Sequence, residues 1–140
     1  MPKQIYLNLP VKDVVKSTAF YTALGFKLNP NFSNADASAM IWSKDILFML
    51  LTHDYYKKFT NKTIPDLSQN SACLIALSLD SKEEVQKFAD VAKENGGDYF
   101  QAEPNKDLDF MFGLEVTDLD GHTLEPFFMD ISKFPGGNVQ

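Results

Sequence analysis

Gln4-Ile5-Tyr6-Leu7-Asn8-Leu9-Pro10-Val11 alternates with a period of two, which puts Ile5, Leu7, Leu9 and Val11 on one face of a strand and Tyr6, Asn8 and Pro10 on the other. Asp13, just beyond, offers a short side-chain acceptor to the unpaired N–H groups of a helix start. Val14, Ser17, Phe20, Tyr21 and Leu24 then recur at helical spacing, and Gly25 stops the helix. Short strands are predicted around residues 26–28, 39–42 and 46–51, so the order through residue 52 is βαβββ.

The same order returns further on. Residues 73–79 read as a strand, and Ser81-Lys82-Glu83-Glu84 is an S-x-x-E capping box that opens a helix with Val85, Phe88, Ala89 and Ala92 facing inward. Gly96-Gly97 closes that helix, and strands are predicted at residues 98–101, 110–116 and 122–128. Laying Tyr6 over Leu74 superposes Leu9 on Leu77, Val11 on Leu79 and Phe20 on Phe88 without a gap. A longer loop near residues 103–109 then brings residues 46–51 over residues 122–127. The chain therefore reads as α+β, with two tandem βαβββ modules at 1–52 and 73–130, a connection at 53–72 and a loose tail at 131–140 that holds Gly136-Gly137.

The connection lacks strand alternation and is rich in polar and turn-forming residues, which suits a surface linker with solvated Lys57 and Lys58. Its Tyr55, Tyr56 and Phe59 leave open a second reading, a lid over bound material. At 140 residues and 44% hydrophobic content, the chain is long enough to bury a core as one domain. The net charge of -6 argues against nucleic-acid partners, because acidic surfaces repel phosphate backbones. Without a long apolar span or a leader pattern, no membrane association is expected, and the expected location is cytoplasmic. Cys73 is the lone cysteine, so no intramolecular disulfide forms, and the expectation is an inert, buried thiol.

The chemically most informative stretch is Thr117-Asp118-Leu119-Asp120-Gly121-His122-Thr123-Leu124-Glu125-Pro126-Phe127, a tight acidic turn followed by a strand. Glu125 stands between Leu124 and Pro126. An ionised carboxylate is costly to bury alone, so it reads as a ligand contact, as a charge paired with Lys3, Lys44 or a backbone donor, or as an acid of raised pKa. The last of these makes Glu125 the candidate catalytic residue. Strand parity sets Phe127 beside it, while His122 lies in the turn or on the opposite face.

Asn8-Leu9-Pro10-Val11-Lys12-Asp13, leading into Ser17-Thr18-Ala19-Phe20-Tyr21-Thr22-Ala23-Leu24-Gly25-Phe26, together with Asp118-Leu119-Asp120-Gly121-His122-Thr123-Leu124-Glu125, resembles the vicinal oxygen chelate superfamily. That superfamily includes glyoxalase I, extradiol dioxygenases, fosfomycin-resistance enzymes and bleomycin-resistance binding proteins; the details are most similar to a bacterial glyoxalase-like subgroup. The resemblance implies a single glyoxalase-like domain whose two modules curl mixed sheets around a cleft. It also implies metal ligands on the first and fourth strands of each module, which fall here on Tyr6, Met49, Leu74 and Glu125. Only Glu125 has a donor of the expected type, since leucine donates nothing, neutral tyrosine is a poor ligand and methionine prefers softer ions.

No cofactor is therefore expected, and metal ligands are assigned to none of these residues. The expected function is binding of a small, partly apolar molecule, cationic or neutral, by Tyr6, Asn8, Trp42, Met49, Leu74, Glu125 and Phe127. One alternative keeps a divalent metal for lyase, isomerase or dioxygenase chemistry. Another is metal-independent acid/base catalysis by Glu125. The resemblance further implies a homodimer.

Overall fold

In a computed structural model, residues 2–106 and 108–133 are described. The predicted Gly136-Gly137 tail and the rest of residues 134–140 lie outside that range. The fold is α+β, and its contacts divide the chain into two units at Asn70/Ser71.

The first unit holds β1 (Ile5–Val11), α1 (Val14–Ala23), β2 (Lys27–Asn29), β3 (Ala37–Ser43) and β4 (Ile46–Thr52), the expected βαβββ order. Its sheet runs β1-β4-β3-β2, with β1 parallel to β4 and the other pairs antiparallel. Asp13 caps α1 by accepting from the Lys16 backbone N–H at 3.0 Å. Gly25 turns the chain out of the helix at φ 104, a left-handed conformation that costs a residue with a Cβ. Val14, Ser17, Phe20 and Tyr21 bury the inner face of α1. Phe48 sits at the centre of this core, its ring 5.7 Å from Tyr21 and 4.8 Å from Phe26. Hydrophobic and aromatic burial of that kind contributes roughly 1.5–3 kcal/mol per large side chain.

The second unit repeats the order as β5 (Leu74–Ser78), α3 (Lys82–Glu94), β6 (Asp98–Phe100), β7 (Met111–Gly113), β8 (Glu115–Thr117) and β9 (Thr123–Met129). Strands β7 and β8 are the two halves of the single strand expected at residues 110–116. Both pair antiparallel with β9, and the bond from Leu114 N–H to Pro126 O carries the pairing across the break. Strand β5 pairs parallel with β9 on its other side. Half of the capping box forms as read, with Ser81 accepting from Glu84 N–H at 3.1 Å; the return bond is displaced by one residue, since Glu84 Oε2 accepts from Asp80 N–H at 2.7 Å and not from Ser81 N–H. Val85, Phe88, Ala89 and Ala92 form the buried stripe of α3.

Cys73 corrects one expectation: it is exposed, because it precedes β5 at the solvated start of that edge strand, where Leu74 is also 58% exposed. Between the modules, α2 (His53–Tyr56) and a 3-10 turn (Lys57–Phe59) give the connection local order, with Thr52 capping α2. Tyr55 and Phe59 meet edge to face at 5.2 Å, and Lys58 lies over the Tyr55 ring. Farther along, Asp66 accepts from Ser68 through both its backbone N–H and its hydroxyl, which holds the Asp66 carboxyl below the usual aspartate range. No helix among the described residues is long and apolar enough to cross a membrane.

Candidate functional site

The β8–β9 hairpin is built by its turn. Asp118, itself buried, accepts from the backbone N–H groups of Asp120 and His122 at 2.9 Å each, and its own N–H donates to His122 O. Gly121 takes the positive φ that closes the turn. The acidic motif is thus a structural clamp in which buried His122 takes part through its backbone. The register it sets pairs Thr117 with Thr123 and Val116 with Leu124. One step farther out, the same register sets Glu115 against Glu125.

These two carboxyl groups are hydrogen-bonded to one another. Glu115 is 6% exposed, whereas Glu125 is half-buried and is the more accessible of the two. Their row across the sheet runs Phe100, Glu115, Glu125, Ala76, so apolar side chains flank the pair on both sides. Burial pushes the Glu115 carboxyl up to about 7, and the hydrogen bond to Glu125 and the repulsion from it act in the same direction. The pair therefore holds a proton on Glu115 under conditions where a solvated glutamate has lost it. The partner the structure gives Glu125 is thus another acid, and not the Lys3, Lys44 or backbone donor that one of the three readings of this residue named. Sequence reasoning passed over Glu115, although counting back equally from the Asp118–His122 turn sets it opposite Glu125.

The other expected residues separate by sheet and by face. In the first unit Asn8 lies directly beside Met49, and Tyr6 precedes Asn8 by two on the face turned away from α1. Tyr6 is 52% exposed and its hydroxyl donates to Gln4 Oε1. Trp42 lies on the opposite face, at the register shift between Ile41 and Ser43, packed against Phe26 at 4.9 Å. It belongs to the side covered by α1, together with Ser38, which meets Thr18. In the second unit Leu74, Glu125 and Phe127 share the face away from the buried Leu124, with Leu74 opposite Thr123 and Phe127 opposite Gly113.

The first unit also encloses a cavity of about 300 Å³ lined by Asn8, Leu51, Tyr56, Phe59 and Thr60. Asn8 and Leu51 come from the face of the sheet away from α1, and the connection supplies the other three. The first part of the connection therefore packs beside the Leu51 end of this face, while Tyr6 and Asn8 stay exposed.

The donor set does not fit the metal centre that the resemblance implies. The first unit offers Tyr6 and Met49 at the two strand positions, and the second offers Leu74 and Glu125; Glu115 adds a carboxylate but no imidazole. Among the described residues, no group of three or more His, Cys, Asp or Glu is placed to hold a metal ion. Divalent ions of the usual kind need more hard donors than one adjoining carboxylate pair provides.

Known proteins agree with this architecture. Residues 3–40 match the family model described as bleomycin resistance protein-like N-terminal. The hypothetical protein SA1046 from S. aureus superposes with a TM-score of 0.76 at 26% identity, over 91% of this chain and 95% of that one. A glyoxalase/bleomycin resistance protein/dioxygenase family enzyme from Burkholderia phytofirmans PsJN gives 0.72 at 17% identity, over 91% and 99%. The genomically encoded fosfomycin resistance protein FosX from Listeria monocytogenes gives 0.66 at 18% identity, over 100% and 94%. Among curated proteins, none matches the chain. The class that these likenesses define is one of fold: the chain has the fold shared by structures of the glyoxalase/bleomycin resistance protein/dioxygenase type. More particularly, its opening β1-α1 segment is similar to the bleomycin-resistance-like type.

Proposed function

We propose that this protein binds a small, partly apolar molecule and works without the metal centre of its superfamily. The observation that carries this reading is the cavity between the first sheet and the connection. Its volume of about 300 Å³ falls at the lower end of the range of roughly 300–1,000 Å³ typical of small-molecule sites. Leu51, Tyr56 and Phe59 offer apolar and aromatic surface, while the Asn8 amide and the Thr60 hydroxyl offer donors and acceptors to orient a polar group.

Native mass spectrometry of freshly purified protein tests the proposal. A retained small molecule is expected, and the paired variants Phe59→Ala and Asn8→Leu should each bind it about tenfold more weakly while staying folded. A near-stoichiometric transition ion, lost on Glu125→Ala substitution, would overturn the metal-free reading in favour of metal-assisted lyase, isomerase or dioxygenase chemistry. The proposal takes the protein to act in the cytoplasm as a homodimer.

A second reading is favoured by the Glu115–Glu125 pair: metal-independent proton transfer, with half-buried Glu125 meeting the substrate and Glu115 holding the shared proton. A carboxyl near neutrality suits general acid/base work at physiological pH. Side-chain carboxyl carbon NMR across pH 4 to 9 checks it. One glutamate is expected to titrate near 7, and its absence from that range would remove the reading.

A further inference from the structure

On the connection lies a second cavity, a groove of about 480 Å³ lined by His53, Lys57, Thr60, Asn61, Lys62, Thr63 and Ile64. Its lining contains two ammonium groups, an imidazole, two threonine hydroxyls and an amide, and no carboxylate. In an acidic chain this is a local reversal of sign: residues 53–64 carry three lysines and one aspartate, Asp54. Lys58 is turned to the Tyr55 ring, at 5.8 Å. Lys57 and Lys62 enter no ion pair among the described residues, where the two salt bridges are Lys93–Asp98 and Lys106–Glu103. Thr60 Oγ1 accepts from Lys62 N–H at 3.1 Å, which leaves the hydroxyl proton to donate elsewhere.

We propose that this groove is a binding site for the phosphate group of a small phosphate ester. Lys57 and Lys62 supply the charge, and Thr60, Asn61 and Thr63 supply neutral donors around it. The groove is wider than the anion needs, and Ile64 gives it an apolar wall against which the esterified part rests. A long polyanion is opposed by the net charge of the chain, but a single compact dianion meets mainly the local cations, because more distant surface charges are screened within roughly 10 Å at 0.1 M salt. This site adjoins the cavity beneath Tyr56 and Phe59, since Thr60 lines both, but its charge comes from Lys57 and Lys62, which do not line that cavity, and it does not depend on that cavity being a ligand site.

The test is an amide NMR titration of the full chain with inorganic phosphate and with phenyl phosphate, using sodium chloride at matched ionic strength as the control. Saturable shifts confined to residues 53–64 are expected, with phenyl phosphate saturating at lower concentration than inorganic phosphate. The Lys57→Gln/Lys62→Gln double variant should bind at least about tenfold more weakly, and Lys57→Arg/Lys62→Arg should keep most of the affinity. Both lysines are exposed, so these variants leave the core untouched. Shifts reproduced by chloride, or unchanged affinity in the glutamine variant, would overturn the site. Equal affinity for the two phosphates would overturn the ester in favour of free phosphate.

Discussion

Glu115 carries the sharpest pH signature in the molecule. Its carboxyl rises from an ordinary 4.5 to about 7, so between those values the folded chain keeps a proton that the unfolded chain has released. Stability must therefore fall as pH rises through this window, by up to ~3 kcal/mol, and this contribution is flat above it. Glu115→Gln removes the titration while keeping a donor for Glu125. The variant is expected to match the wild type near pH 4.5 and to exceed it by ~1–3 kcal/mol at pH 8. Urea midpoints at the two pH values measure this, and identical pH slopes for the two proteins would contradict the shared-proton arrangement. Glu125 was visible as a conspicuous acid between apolar neighbours. Glu115 was not, because its meaning comes from a cross-strand partner ten positions away and from its own burial.

At the scale of elements, local rules worked where the energetics are local. Asp13, Ser81 and Gly25 act where the sequence put them, since capping and positive-φ turns involve only a few consecutive residues. Ser81→Ala deprives Glu84 N–H of its acceptor and is expected to cost about 1 kcal/mol, read as a lower thermal midpoint with α3 content otherwise kept. An unchanged midpoint would show that the cap adds nothing beyond solvent. Trp42 shows where local reading stopped short. Its face was not worked out from the strand, although the alternation that turns Ser38 and Met40 to the α1 side turns Trp42 there too, packed on Phe26 and away from Asn8 and Met49. The connection was read first as a solvated linker, yet Tyr56, Phe59 and Thr60 line a cavity with Asn8 and Leu51. The aromatic residues Tyr55, Tyr56 and Phe59 had left such a role open beside the linker reading.

For the whole molecule, the repeat of βαβββ order gives two units with related strand orders, and in each the first strand stands at the edge of its sheet. These edges carry exposed apolar side chains, with Ile5 and Leu74 each 58% exposed. Unpaired strand edges with apolar chains favour association with a further surface. The homodimer proposed above should therefore appear in light scattering at twice the 15.8 kDa chain mass, and Ile5→Lys should shift the population towards monomer. A monomer mass at all working concentrations would exclude this assembly.

The sequence by itself determined the α+β order, the helix caps and the turn glycines, because each depends on residue type and short-range periodicity; the shortage of donors at Tyr6, Met49 and Leu74 was legible only through the positions that the resemblance implies. Only the tertiary structure decided that Glu125 meets Glu115, that Trp42 turns towards Phe26, that Cys73 is exposed and that Tyr56, Phe59 and Thr60 of the connection line a cavity with Asn8 and Leu51. Those outcomes depend on strand register and on which surfaces lose water. Both are set by contacts between residues far apart in the chain.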